Sequence, residues 1–163
     1  MRNPGYINSK LQKAEEVIKK IAQWRLLNKT VAFTNGCFDI LHSGHIYSLS
    51  EAALQADYLV VGLNSDSSTK KLKGKDRPIN NEQSRALLLS SLVMVDAVVI
   101  FEEETPLELI KKLLPDVLVK GGDYTVEQIA GAKEVMANGG KVIINPIIEG
   151  FSTSGLIGKI NKL

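Results

Sequence analysis

The chain has 163 residues, 44% apolar and 23% charged, with 20 basic against 18 acidic residues for a net charge of +2. That length suits one compact domain able to bury about 70% of its unfolded surface, and so balanced a charge excludes a chain built to coat nucleic-acid phosphates. A single cysteine excludes an internal disulfide, no apolar run approaches the ~20 residues of a membrane helix, and MRNPGYINSKLQ carries no export signal, so a cytoplasmic location is expected.

From Ser9 to Trp24, Leu11, Ala14, Val17, Ile18 and Ile21 recur at helical spacing between lysines and glutamates. This predicts an amphipathic helix, and residues 1–28 read as a helical appendage to a core of residues 29–163. The period then changes. TVAFTN (30–35), DYLVVGL (57–63), DAVVIF (96–101), DVLVK (116–120) and KVIIN (141–145) are short, apolar and β-branched, as buried strands are. Helical patterns fall between them at 43–55, 81–93, 106–114 and 126–138, with a last one from about Ser152 to Asn161. Alternation of this kind predicts an α/β fold, a doubly wound, Rossmann-like parallel sheet of about five strands, because each parallel connection must cross over. No internal repeat or Pro/Gly-rich linker marks a second domain.

Ligands of such sheets bind beyond the carboxyl ends of the strands. GCFDILHSGH follows strand one, NSDSSTKKLKGKDRP strand two, GGDY strand four and PIIEGFSTSG strand five. The chain's two histidines, His42 and His45, fall where the first loop becomes a helix, and a spacing of three directs both rings to one side. That helix end presents unpaired amides and the positive end of a dipole, and Gly44 lets a bulky anion or a base approach the backbone. Packed or surface histidines fit the same spacing. A zinc pair would need further ligands, and only Cys37 is at hand.

Ser152, Thr153 and Ser154 begin the last helix, where hydroxyls serve either as an N-cap or as a second phosphate site across the crevice. The run of residues 70–78 carries Lys70, Lys71, Lys73, Lys75 and Arg77 against one acid, Asp76, and reads as a solvated loop from which one lysine reaches a phosphate. Arg85 sits on the next helix, where an exposed arginine is ordinary. Asp39 either caps the turn or binds a ligand hydroxyl. Cys37 lacks a basic neighbour in sequence and reads as a small packed residue whose backbone matters, not as a nucleophile.

The pattern Gly36-x-Phe38-Asp39-x-x-His42-x-Gly44-His45, with Ser152-Thr153-Ser154 near the end, resembles the cytidylyltransferase-like nucleotidyltransferases with the HxGH signature, over Thr30 to the C-terminus. Within it, TNGCFDILHSGH, GLNSD, KGKDRPIN, VKGGDY and EGFSTSG are most similar to members that transfer AMP from ATP to D-glycero-D-manno-heptose 1-phosphate. Glycerol-3-phosphate cytidylyltransferases read RTEGIST and GDDW where this chain has IIEGFST, with Ile147 and Ile148, and Gly121-Gly122-Asp123-Tyr124. The resemblance therefore implies an adenylyltransferase.

It further implies that His42, His45 and the Phe38 amide contact the α-phosphate, and that Ser152 and Thr153 contact the outer phosphates, with Ser154 also in the nucleotide site. Lys73, with Lys71 as the fallback, would meet the reacting phosphates. Thr34, Asn35, Gly36, Cys37, Gly44, Arg85, Gly121, Asp123 and Tyr124 would complete the nucleotide site, and Asp39, Arg77 and Lys120 would face the sugar phosphate. Mg²⁺ is expected on the triphosphate and not in a protein cage. The implied partners are ATP, a sugar 1-phosphate made by a separate sugar kinase, and a second copy in a homodimer, with no nucleic acid and no membrane.

Overall fold

The computed structural model describes residues 5–122, 124–146 and 153–160, without the side chains of Ser154, Lys159 and Ile160. The element order is α1 (Gly5–Asn8), α2 (Ala14–Leu26), β1 (Val31–Gly36), α3 (Ser43–Ala53), β2 (Tyr58–Asn64), α4 (Asp66–Lys73), α5 (Glu82–Ser90), β3 (Ala97–Phe101), α6 (Leu107–Leu113), β4 (Val117–Gly121), a 3₁₀ turn (Val126–Gln128), α7 (Ala132–Ala137), β5 (Lys141–Asn145) and α8 (Thr153–Ile160). Among the described residues the strands form one parallel sheet in the order β3-β2-β1-β4-β5. The expected α/β class and all five strands are there.

The β-branched runs form strands because both faces of the sheet are covered. Val31, Phe33, Val60, Val99 and Leu118 pack on one side with Val17 and Ile21 of α2 and Ile110 of α6. Ala32, Leu59, Val61, Val98 and Val119 pack on the other with Leu49 of α3 and Leu89 of α5. Alternate residues of one strand thus serve two cores, as the period of two demands. The register is pinned at the amino ends by aspartates. Asp116, Asp57 and Asp96 accept the backbone N–H groups of Val31, Thr30 and Leu59 at 2.8, 2.9 and 2.8 Å.

Three expectations change in detail. The helix foreseen from Ser9 begins at Ala14, because the backbone of Lys10 to Gln12 is drawn to the edge of β3. The Lys10 carbonyl accepts the Val98 N–H at 2.8 Å, and the Gln12 N–H donates to the Val98 carbonyl at 3.0 Å. The pattern at 126–138 divides into the 3₁₀ turn and α7 at Gly131, whose φ of +88° no ordinary helix contains. The basic run after β2 is helical, not a loop, as far as Lys73. Its start is capped by Ser65, whose hydroxyl accepts the Ser68 N–H, and Gly74 ends it at φ +98°.

Candidate functional site

The chain leaves β1 toward β2 on one side of the sheet, and β4 lies on the other side of β1. Loops at the carboxyl ends of β1 and β4 therefore diverge, and the gap between them is the topological switch point where such sheets bind ligands. A cleft of about 630 Å³ opens there, within the size range of small-molecule sites.

Its floor is the loop that follows Gly36. Phe38 adopts a left-handed backbone with φ of +46°. A Cβ on Gly36 would stand 3.0 Å from the Phe38 ring, so the absence of a side chain at Gly36 lets that ring fold back over the strand end. His42 is the N-cap of α3, with φ −142° and ψ 170°, and its carbonyl accepts the His45 N–H at 2.9 Å. Residues at the cap and three beyond it share a face. The two imidazoles stack with centroids 3.9 Å apart and planes 24° apart, and Phe38 meets His45 edge-on at 5.3 Å.

Burial, with the His42 charge adding to it, pushes His45 down to about 4, and burial also pushes His42 below its ordinary value. A neutral His45 at pH 7 acts as a directed hydrogen-bonding group in the open cleft. An approaching phosphate would favour its charged form, so the pair is arranged to gain positive charge as an anion arrives. Both rings lie in the cleft at the first turn of α3, whose amides face the same space.

Cations line the other walls. Lys73 closes α4, and Arg77 and Lys120 line the same cleft. Lys120 donates to Asn35 Oδ1 at 3.1 Å and lies 5.7 Å from the Tyr124 ring centroid. Burial lowers the Lys120 ammonium below the usual lysine range, Cys37 opposes that shift and the charge of Lys73 adds to it. Two ammonium groups close enough to feel each other give this part of the cleft a positive potential that favours an anion.

Asp39 was expected to face a sugar phosphate. It lines the cleft at 2% exposure, but Arg77 Nε takes one of its oxygens and the amides of Ile79 and Asn80, at 2.8 and 2.9 Å, take the other. Burial works to raise its pKa, yet those amides and Arg77 prevail and hold it below the carboxylate norm. Asp39 therefore acts on the cleft through Arg77.

Arg85, expected on an exposed helix face and as a nucleotide contact, needs a larger correction. It is 0% exposed and lies outside the cleft wall. Its guanidinium donates to the carbonyls of Asn80, Cys37 and Asn64 at 2.9, 2.6 and 2.8 Å and to Asp66 at 2.8 Å. It ties the loop after β1 to the end of β2 and to the segment carrying Arg77.

Thr34, Asn35, Gly36, Cys37, Gly44, Gly121, Tyr124 and Thr153 line the cleft beside the histidines. Thr153 Oγ1 donates to the Ile40 carbonyl at 3.4 Å, which brings the start of α8 against the histidine loop. Asp123, Ser152 and the Ser154 side chain lie outside the described residues, as do Ile147 and Ile148. From the run of residues 70–78, Leu72, Lys73 and Arg77 reach the cleft among its described lining residues, and Lys71 does not.

Sequence reasoning passed over Ser48, one turn beyond His45, and Glu104, Thr105 and Pro106. The last three follow β3 at the same carboxyl edge as the loops that were read, and that position was the signal for them.

Residues 33–157 match the cytidylyltransferase-like family. The chain is 51% identical to the bifunctional protein HldE of Mesorhizobium japonicum over 90% of its own length and 30% of that protein. It is 51% identical to that of Caulobacter vibrioides over 98% of its length and 32% of that protein. The chain thus spans about a third of the length of these relatives. The crystal structure of the lipopolysaccharide core biosynthesis protein of Thermoplasma volcanium superposes with a TM-score of 0.59 at 32% identity, covering 74% of this chain and 97% of that one. Pantoate-beta-alanine ligase of Francisella tularensis shares the fold, with a TM-score of 0.59 at 13% identity over 94% of this chain and 78% of that one.

Proposed function

The chain belongs to the cytidylyltransferase-like family, and on that premise we propose that it is an adenylyltransferase that joins AMP from ATP to D-glycero-D-manno-heptose 1-phosphate. The observation that carries this reading is the stacked pair His42 and His45 at a helix start, facing Lys73, Arg77 and Lys120 across one cleft. Similarity to the HldE proteins and to a lipopolysaccharide core biosynthesis protein supports a sugar phosphate as the acceptor.

In the proposed reaction a phosphate oxygen of the sugar attacks the α-phosphorus of ATP. The new P–O bond forms as the bond to the α,β-bridging oxygen breaks, and pyrophosphate leaves with that electron pair. The nucleophile is already anionic near neutral pH, so no strong base is required. The protein's task is to align two mutually repelling anions and to stabilise charge on the transferring group. His42 and His45, with the amides of the α3 start and of Phe38, are assigned to the α-phosphate. Lys73 is assigned to the reacting phosphates, Arg77 and Lys120 to the sugar phosphate, and the start of α8 to the outer phosphates.

Mg²⁺ is assigned to the triphosphate. The carboxylates lining the cleft, among the described residues, are Asp39 and Glu104, and Asp39 is held by Arg77 and two amides. So few available oxygens suit an ion liganded by phosphates and water. The sugar 1-phosphate would come from a separate kinase. Among the described residues no helix is long and apolar enough to cross a membrane, and the need for ATP assigns the enzyme to the cytoplasm. The family resemblance is the support for a homodimer, which sedimentation velocity tests.

Pyrophosphate release measured with ATP or CTP against heptose 1-phosphate and glycerol 3-phosphate tests the reading. Turnover is expected with ATP and the heptose. Preference for CTP with glycerol 3-phosphate would overturn it.

A further inference from the structure

The cleft is lined by cations suited to phosphates, yet Glu104 stands in its wall. A carboxylate repels phosphate, so its presence there calls for a different kind of neighbour. Asp39 is no guide, because both its oxygens are occupied by protein donors. Glu104 lines the cleft, is exposed and enters no ion pair among the described residues, so its carboxylate is open to a ligand.

The loop that carries it is held in place. The Ser65 N–H donates to the Phe101 carbonyl at 2.9 Å, and Ser68 Oγ, on a completely buried residue of α4, donates to the Glu103 carbonyl at 2.7 Å. Asn64 Nδ2 in turn donates to that same Ser68 Oγ at 2.9 Å. Glu104 is thus mounted next to α4, the helix that ends in Lys73. Lys73, Arg77 and Glu104 all come from segments after β2 and β3, whereas Lys120, Gly121 and Tyr124 come from β4 and the turn after it. The cleft therefore combines cations for a phosphate with a carboxylate acceptor for hydroxyl donors. That combination matches a phosphorylated polyol.

Resting on the adenylyltransferase reading above, we infer that Glu104 is a specificity-determining residue that accepts hydrogen bonds from the hydroxyls of the sugar acceptor. A carboxylate accepting from a hydroxyl forms a charge-assisted bond, and two neighbouring hydroxyls can share its two oxygens. Thr105 and Pro106, next in the chain, also line the cleft.

The test is steady-state pyrophosphate release with Mg-ATP and D-glycero-D-manno-heptose 1-phosphate for the wild type, Glu104→Gln and Glu104→Ala. Each variant is expected to raise KM for the sugar phosphate about 10- to 100-fold, as loss of a hydrogen bond to a charged group does. KM for ATP should stay within about twofold and the melting temperature unchanged. An unchanged or lowered KM for the sugar phosphate in an active wild-type background would overturn the inference and leave the adenylyltransferase reading standing. So would a rise confined to KM for ATP, which would move Glu104 to the base. A wild type that releases no pyrophosphate with the heptose would overturn both.

Discussion

His45 is held between two rings, stacked on His42 at 3.9 Å and met edge-on by Phe38 at 5.3 Å. Its position is set from both sides before any ligand arrives, as preorganised charge stabilisation requires. His45→Ala should lose about 10²- to 10³-fold in kcat, or about 3 to 4 kcal/mol, with little change in the melting temperature. Near-normal turnover would sink the mechanism, and a large fall in melting temperature would assign the ring to packing.

The same ring ties stability to pH. With its folded value near 4 against an ordinary 6.5, His45 binds a proton more readily when the chain is unfolded. Stability is therefore complete above about pH 6.5 and declines as pH falls toward 4, where the unfolded state takes up the extra proton. A His45→Asn variant should show a flatter melting temperature between pH 6.5 and 5, above the range where most carboxylates titrate. An identical slope in both proteins would show that His45 is not its source.

Lys73 and Lys71 should part company. Lys73 lines the cleft and Lys71 does not, although both lie in α4. Lys73→Ala is expected to reduce kcat by about 10²-fold, in the range for removal of one charge-stabilising donor. Lys71→Ala should stay within about twofold. Equal losses in the two variants would overturn the assignment.

Arg85→Ala removes the buried partner of half-buried Asp66 and strands the carbonyls of Cys37, Asn64 and Asn80. Urea unfolding should show a loss of about 3 to 5 kcal/mol. A loss under about 1 kcal/mol would mean that the guanidinium is not the tie between these loops.

Gly62 lies in β2, where an added Cβ would stand 2.7 Å from the Phe33 ring and 3.3 Å from Asn35 Cβ. Gly62→Ala should cost about 1 to 3 kcal/mol of stability by overpacking. Because the displaced neighbours belong to β1, it should also raise KM for ATP. A variant as stable as the parent would show that Phe33 can move aside at no cost.

Strands β1 to β4 were legible because they are largely buried on both faces and so read as continuous apolar runs, β5 because its run is as apolar although only half-buried, and the histidine pair because its spacing is local. What stayed hidden depends on distant partners. Arg85 resembles any helical arginine until Cys37, Asn64 and Asn80 are seen around it. Leu11 carries the helical period of its neighbours, yet its backbone runs beside Val98. The helix after β2 was obscured because its lysines gave it the composition of a solvated loop, while its cap rested on a serine with no apolar stripe behind it. Glu104 was hidden for another reason, since an exposed glutamate carries meaning only once Lys73 and Arg77 are found in the same cleft.

The backbone of Lys10 to Gln12 does more than end a helix early. β3 is an outermost strand, and a bare outer strand offers its amides and carbonyls to any other extended chain. By satisfying both backbone groups of Val98, this short segment removes a template for self-association. The consequence is colloidal: at Val98 the outer edge of β3 has no free backbone group to offer a neighbouring molecule.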